Sequence, residues 1–459
     1  MRSCLAALVA CSLGGCVPAL RAPPADASLS PPLEWRTQLP ASAEIEERWW
    51  QAFGDQHLDR LVDQARRNNT DVQLAIARVE EARATEAGSR ALLLPTLGAG
   101  VEGAYRREVS PFGRPQDALV AQPAFRAAYE IDLFGRNRAR IDAAIAGTAV
   151  REAERESAVL AATAATASGY IALLGLDARL RVLESTLESR GQARKFARDR
   201  ARVGYTSQLE QRQAEAEYEA AAQLLPPLRA QIARQENAIA VLTGVLPTAI
   251  RPRGTLGALV SPALPGVLPS ELLRRRPDVA AAEYRIAAAD AQMRAARAQF
   301  LPSINLGASG GLALSDLLAD PIGVWSLGGS ILAPLFQGGR LTAQLDAATA
   351  QRDQAAWAYR GVALNAFREV EDRLALITGL EGQQSALDRQ RVAVTNALTH
   401  ATNRYQAGYS PYIEQIDAQR ALLGVDQAVI QTRVDTLQAM VALYQALGGA
   451  PTEPATAER

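Results

Sequence analysis

The chain carries one pattern twice, and this duplication restricts its fold more than any other feature. Asp71, Val72, Leu94, Pro95 and Gly100 recur about 207 residues later as Asp278, Val279, Leu301, Pro302 and Gly307. Further on, Leu133-Phe134, a glycine and Arg136 answer to Leu335-Phe336, a glycine and Arg340. Arg200, Gly204, Tyr205, Leu209-Glu210-Gln211 and Ala214 then answer to Arg404, Gly408, Tyr409, Ile413-Glu414-Gln415 and Ala418. A period this long exceeds any solenoid repeat, so each copy must be a unit of several elements.

Within each copy the hydrophobic period changes. After Pro95, Leu97, Ala99, Val101, Gly103 and Tyr105 fall on one face of a period-two pattern, with Gly98, Gly100, Glu102, Ala104 and Arg106 opposite. The same alternation runs Phe125, Ala127, Tyr129, Ile131, Leu133 in the first copy. In the second copy it runs Ile304, Leu306, Ala308, Gly310, Leu312 and then Trp325, Leu327, Gly329, Ile331, Ala333, Leu335. Segments near ten residues, apolar on one side and small or polar on the other, suit strands of a transmembrane barrel. Four such strands are too few to close a barrel, and an open sheet in hydrocarbon leaves its edge N–H and C=O groups unpaired. More than one copy of the chain is therefore required.

Between the strand pairs lie Arg136 to Arg202 and Arg340 to Gln406, each 67 residues without proline. A continuous helix of that length reaches roughly 100 Å and needs partners along its length. Each ends at a short break, Gly204-Tyr205-Thr206-Ser207 or Gly408-Tyr409-Ser410-Pro411, after which a helical pattern resumes to about Thr243 and Leu447. Glycine ends the first helix and Thr206 or Ser410 is expected to cap the next. Pro226-Pro227 should kink the return helix of the first copy. A shorter helix precedes each first strand, Gln56 to Leu93 and Pro277 to Phe300. The expected divisions are 1–15 signal peptide, 16–43 linker, 44–250 first repeat, 251–276 inter-repeat linker, 277–450 second repeat and 451–459 tail.

The first residues resemble a bacterial lipoprotein signal, with an apolar run from Leu5 to Leu13 and then Leu13-Gly14-Gly15-Cys16. Such a signal implies acylation of Cys16, palmitate included, and loss of Cys4 and Cys11 with the cleaved peptide. That leaves no cysteine pair for a disulfide. Acyl chains hold the N-terminus to a leaflet by roughly 0.8 kcal/mol per buried CH₂. The prolines at 18, 23, 24, 31, 32 and 40 suggest an extended tether that spans distance rather than building a core.

Composition removes other classes. A net charge of zero gives no electrostatic footprint for nucleic acid. No run of 18 consecutive apolar residues follows the signal, so no transmembrane helix is expected. Gly98-x-Gly100-x-x-Gly103 spells a dinucleotide fingerprint and Gly307-x-Ser309-x-Gly311 a nucleophile elbow, yet both lie inside alternating strands rather than at strand-to-helix turns. The histidines, His57 and His400, lie far apart in helical segments, so neither a catalytic triad nor a zinc site is expected. No enzyme activity, cofactor or metal is expected.

Trp49-Trp50-x-x-Phe53-x-Asp55-x-x-Leu58-x-x-Leu61, Pro277-Asp278-Val279-x-x-Ala282-Glu283, Pro334-Leu335-Phe336-x-Gly338-Gly339 and Arg404-Tyr405-x-x-Gly408 through Asp417-Ala418-Gln419-Arg420 together resemble the TolC-like outer-membrane factors. The likeness is to their lipoprotein, NodT-like branch, which serves RND-type efflux systems, and it spans about Trp49 to Gly449. It implies an internally duplicated α+β membrane protein: a homotrimer sharing one transmembrane β-barrel, four strands per chain, continuous with a long periplasmic α-helical barrel. It implies a passive outer-membrane duct of a tripartite, multidrug-resistance type pump. The partners would be a periplasmic adaptor (membrane fusion) protein, an inner-membrane RND-type transporter and outer-membrane lipid. By position, the resemblance places Ile413, Asp417 and Arg420 at the periplasmic aperture. It places Val203, Gly204, Tyr205 and Thr206, with Ala407, Gly408, Tyr409 and Ser410, at adaptor-contacting tips. The family usually carries Val-Gly-Leu-Thr there, and tyrosine replaces the leucine in both copies. A duct for type I protein secretion and a non-channel periplasmic coiled-coil scaffold are the alternative readings.

Overall fold

The computed structural model describes residues 18–19, 21–37, 45–109 and 112–449. Cys16, the signal-like segment and the 451–459 tail lie outside the described residues. In chain order the elements are α1 (Gln56–Asn68), α2 (Thr70–Arg90), β1 (Thr96–Val109), β2 (Pro115–Ile131), α3 (Arg136–Arg202), α4 (Gln208–Ala222) and α5 (Leu225–Leu242). There follow α6 (Pro269–Arg275), α7 (Pro277–Ala298), β3 (Ser303–Ser315), β4 (Ile322–Leu332), α8 (Arg340–Gln406) and α9 (Tyr412–Ala446). The sequence of helix, two strands, long helix and return helix occurs twice, as the residue correspondences require.

Local chemistry explains where these elements start and stop. The Asp55 carboxylate accepts from the backbone N–H of His57 at 2.7 Å and opens α1. The expected single helix from Gln56 to Leu93 is instead divided at Asn69, whose side chain accepts from Asp71 and Val72 N–H and caps α2. At the exit from β2, Asp132 is buried and accepts from the N–H groups of Asn137 (3.0 Å) and Arg138 (2.8 Å), which starts α3. The strand bounds also differ from the alternation: β4 stops at Leu332 because Pro334 has no N–H to donate to a ladder.

Two compact units divide the chain. One contains the sheet with the flanking parts of its helices, residues 78–152 and 281–361, together with residues up to 29. In it, Met293, Leu345 and Ala348 form a buried cluster with Ala296 and Phe300 against them. The other contains residues 30–77, 153–280 and 362 onward. Its core holds Trp50, Phe53, Leu58, Tyr170, Ile171, Leu174, Ile239 and Leu272, all buried. Residues 157–176 of α3 carry no charge, and although Ser157, Thr163, Thr166 and Ser168 interrupt any continuous apolar run, this stretch is long and apolar enough in length and composition to cross a membrane. More than half of it is buried against the chain itself. Gln235 and Gln438 also donate to the carbonyls of Gly169 (2.9 Å) and Ser168 (3.0 Å), so it packs as a core helix.

The proline-rich segment is not the free tether expected of it. The Arg352 guanidinium, 1% exposed, donates to the carbonyls of Arg21 and Ala22, and Arg297 donates to that of Pro18 at 3.0 Å. Trp35 is buried, donates its indole N–H to Val267 O at 2.6 Å, and meets the Phe367 ring. Proline removes backbone donors but not acceptors, and carbonyls are what these arginines take up.

Candidate channel and aperture sites

The sheet is antiparallel with order β1-β2-β3-β4, so the hairpin of one repeat pairs with the hairpin of the other through β2 and β3. Its register aligns the alternation of all the strands. Leu97, Ala127, Ala308 and Leu327 form one cross-strand row, and Ala99, Phe125, Gly310 and Trp325 the next. Ile131, Ile304 and Ile331 lie further along the same face. Trp325 (82% exposed), Leu327, Ile331, Val101 and Tyr105 have no cover among the described residues. On the opposite face Gly98, Arg126, Ser309 and Ser326 form a polar row. There Arg126 meets Glu102 at 2.7 Å and the two serine hydroxyls lie 2.9 Å apart.

The apolar face meets a charged pair at one end and runs on past the strands at the other. Beyond Tyr105 and Leu119 the next pair on that face is Arg107 and Asp117, joined by hydrogen bonds of 2.7 and 2.8 Å. At the other end Leu133, Leu335 and Phe336 are exposed just past the strands, the last two almost fully. The band from Tyr105 to the Ile131 row covers about 40 Å along the strands, or about 30 Å along a membrane normal at ordinary barrel tilt. Among the described residues the outer edges of β1 and β4 have no partner strand. An apolar exposed face, a polar reverse face and open edges define a membrane-channel sheet that other copies must complete.

The helical tips have matched geometry. Gly204 and Gly408 take left-handed φ values of 77° and 81°, and the N–H groups of Tyr205 and Tyr409 close back onto Arg200 O (2.9 Å) and Arg404 O (2.8 Å). Glycine is needed for that closure. Tyr205 and Tyr409 are about 80% exposed and Val203 is exposed as well. The expected caps are corrected by the structure. Ser207, not Thr206, accepts from Glu210 N–H at 3.3 Å, and Thr206 instead donates to the Glu210 carboxylate. Pro411 occupies the α9 cap position without a side-chain bond, while Ser410 Oγ is buried and unpartnered.

Behind the tips, Tyr405, Tyr412, Ile416, Ala197 and Ala214 form one buried cluster that joins α3, α4, α8 and α9. Burial pushes the Tyr405 and Tyr412 hydroxyls up to about 12, with Glu210 and Glu217 respectively adding to the shift. Of the residues expected at the aperture, Ile413 and Asp417 are exposed on α9 one turn apart. Arg420 lies 3.8 Å from Asp417 but is bound more closely to Glu217 on α4, with Nε donating to Oε1 at 3.1 Å. That hydrogen bond is the main cause holding the Arg420 guanidinium above its ordinary value. Glu217 is 9% exposed and is also gripped by the buried Arg190, whose Nη1 lies 3.2 Å from Oε2 and donates to the Glu217 carbonyl at 2.8 Å. Sequence reasoning missed Glu217 and Arg190. Glu215, Glu217 and Glu219 look alike along α4, and only packing singles out the middle one.

Comparison with known proteins accords with this geometry. The family described as outer membrane efflux protein matches residues 61–245 and 268–449, and the chain belongs to it. The chain is 32% identical over 443 residues to the pyoverdine export outer membrane protein OpmQ of Pseudomonas putida, covering 93% of each. It is 34% identical over 423 residues to the toluene efflux pump outer membrane protein TtgI of Pseudomonas putida, covering 90% of this chain and 88% of that one. The open-state MtrE outer membrane channel of Neisseria gonorrhoeae superposes with a TM-score of 0.83 at 28% identity, over 94% of this chain and 98% of that one. The protein is an outer-membrane channel subunit of an efflux pump, and its relatives are channels rather than enzymes.

Proposed function

We propose that three copies close one transmembrane barrel, four strands from each, and that their helices form a periplasmic tunnel through which small molecules leave passively. The observation that carries this reading is the sheet whose unpaired edges flank a membrane-deep apolar face. Each edge N–H or C=O left unpaired in hydrocarbon costs several kcal/mol, so β4 of one copy pairs with β1 of the next. Matching the apolar rows requires odd-numbered residues of β4 to face odd-numbered residues of β1. The N-terminus, in this reading, is anchored through acylated Cys16. The repeats occupy the bounds 44–250 and 277–450.

At the aperture, symmetry brings Asp417 carboxylates toward one axis, where they repel one another and filter cations. Ile413 adds an apolar constriction one turn away. Arg420, drawn back to Glu217, supports the closed arrangement by tying α9 to α4 within each copy. The tips Val203 to Thr206 and Ala407 to Ser410 present tyrosines to a periplasmic adaptor, which links the duct to an inner-membrane RND-type transporter. Solute choice lies with that transporter. The export of pyoverdine and of toluene by relatives supports a small-molecule cargo.

Planar-bilayer recording on the purified protein tests the reading. Channels of low conductance are expected, together with an SDS-resistant oligomer of three chains that dissociates on heating. The Asp417→Ala/Arg420→Ala double variant is expected to conduct severalfold more. A water-soluble monomer with no conductance would overturn the duct, and unchanged conductance in the double variant would remove the aperture assignment.

A further inference from the structure

The reverse face of the sheet carries its charge unevenly. From Thr96 to Glu102, about 20 Å along β1, its rows run Thr96-Ala128-Gly307-Gly328, then Gly98-Arg126-Ser309-Ser326, then Gly100-Ala124-Gly311-Val324. Glu102 opposite Gln122, and Ala313 opposite Ile322, complete the stretch. Among these residues only Glu102 and Arg126 are charged, and both belong to the first repeat. On β3 and β4 the same rows offer glycines, two hydroxyls and apolar groups.

The two charges are not independent. Arg126 stands opposite Gly98 and Glu102 opposite Gln122, and the row between them holds Gly100 and Ala124 on the same two strands. Across that row Arg126 Nη1 donates to Glu102 Oε1 at 2.7 Å. The side chains are 54% and 69% exposed, and a pair so open to solvent adds little to stability. What it does change is the field. A lone charge on the wall of a narrow passage attracts solutes of one sign and repels the other, whereas two opposite charges in contact nearly cancel beyond their own separation.

We propose that Glu102 and Arg126 set the charge indifference of the barrel. Each cancels the other, so the membrane-spanning part of the duct passes solutes of either sign or none and leaves sorting by charge to the aperture. This role rests on the proposed three-copy barrel, whose lumen the reverse face lines. Three pairs then ring the passage, and removing the same member from every copy leaves three like charges.

Thiol labelling of the assembled, full-length protein tests this without requiring the aperture to open. Ser309→Cys places a thiol in the Arg126 row, and the protein without that change gives the background. Its rates with a cationic and an anionic methanethiosulfonate are compared at about 10 mM salt, where charge acts over about 30 Å. Their ratio cancels any change in the reactivity of the thiol itself. With the natural pair the ratio should lie within about twofold of that for free mercaptoethanol. Arg126→Gln should shift it about fivefold or more toward the cation, and Glu102→Gln about fivefold or more toward the anion. The double variant Glu102→Gln/Arg126→Gln should restore parity, and at about 1 M salt both shifts should collapse. A ratio unmoved by either single variant would overturn the role and leave the duct standing, because the thiol would still have reacted. Shifts of the same sign in both would also overturn it, since they would report a damaged sheet. A thiol that reacts with neither reagent would remove the duct as well, as the reverse face would then not line water. If one single variant fails to assemble, the direction of the other against the natural protein decides.

Discussion

The return helices of the two repeats began as the same element and now have different construction. In the first copy the return is broken: α4 ends at Ala222 and α5 begins at Leu225, with Pro226 and Pro227 in its first turn. In the second copy α9 runs unbroken from Tyr412 to Ala446. The charged groups divide the same way. Glu217 on α4 is buried and held by Arg190, whereas Asp417 and Arg420 on α9 are largely exposed. One copy provides a fixed anchor and the other a continuous lever whose charge rests on it. Duplication supplied two equivalent hairpins, and the buried carboxylate made them unequal.

Removing the anchor should have the largest effect. Glu217→Ala strands the buried Arg190 and releases Arg420, so chemical unfolding of the helical unit is expected to lose about 3–5 kcal/mol, with conductance rising as well. A proline in the lever comes next. Gln431 stands where Pro227 stands in the first copy, offset by the 204 residues that separate Arg200 from Arg404. Gln431→Pro should cost about 3 kcal/mol or more and abolish oligomer assembly on native gels, while Pro227→Ala should change stability by less than about 1 kcal/mol. If both changes cost the same, the copies do not differ as described.

Asp417→Ala alone isolates function from stability. Its partner is 3.8 Å away and both side chains are more than half exposed, so unfolding should shift by less than about 1 kcal/mol while conductance and cation preference change. The smallest effect concerns Tyr405 and Tyr412, which are held neutral by burial and neighbouring carboxylates. Their hydroxyls are raised in the folded tips, so this contribution is whole below the ordinary tyrosine value of about 10 and is lost as pH rises through about 12. Phenolate absorbance should show a late-titrating pair that disappears in Tyr405→Phe/Tyr412→Phe.

Much of the fold was legible because it is periodic. Alternation after Pro95 and Pro302 marked strands, proline-free runs marked α3 and α8 to the residue, and Gly204 and Gly408 marked the tips. Capping was legible only in part, since Thr206 and Ser207 are both able caps and the competition was settled by Glu210, which takes up the Thr206 hydroxyl. The N-terminal segment was misjudged because proline content reports backbone stiffness, whereas its attachment depends on Arg297, Arg352 and Arg360 hundreds of residues away. Pro226-Pro227 was read as a kink and became a helix start, because the turn at Gln223 and Leu224 left their missing N–H groups nothing to break.

By itself the sequence determined the duplicated order of elements, the two-faced strands and the need for other copies, since these follow from local periodicity and from hydrogen bonds that hydrocarbon cannot replace. Tertiary structure alone decided which of several like-looking glutamates anchors Arg420 and which carbonyls hold the N-terminal segment. Those outcomes depend on which side chains meet across helices far apart in the chain, and charge and hydrogen-bond pairing are settled by proximity in space.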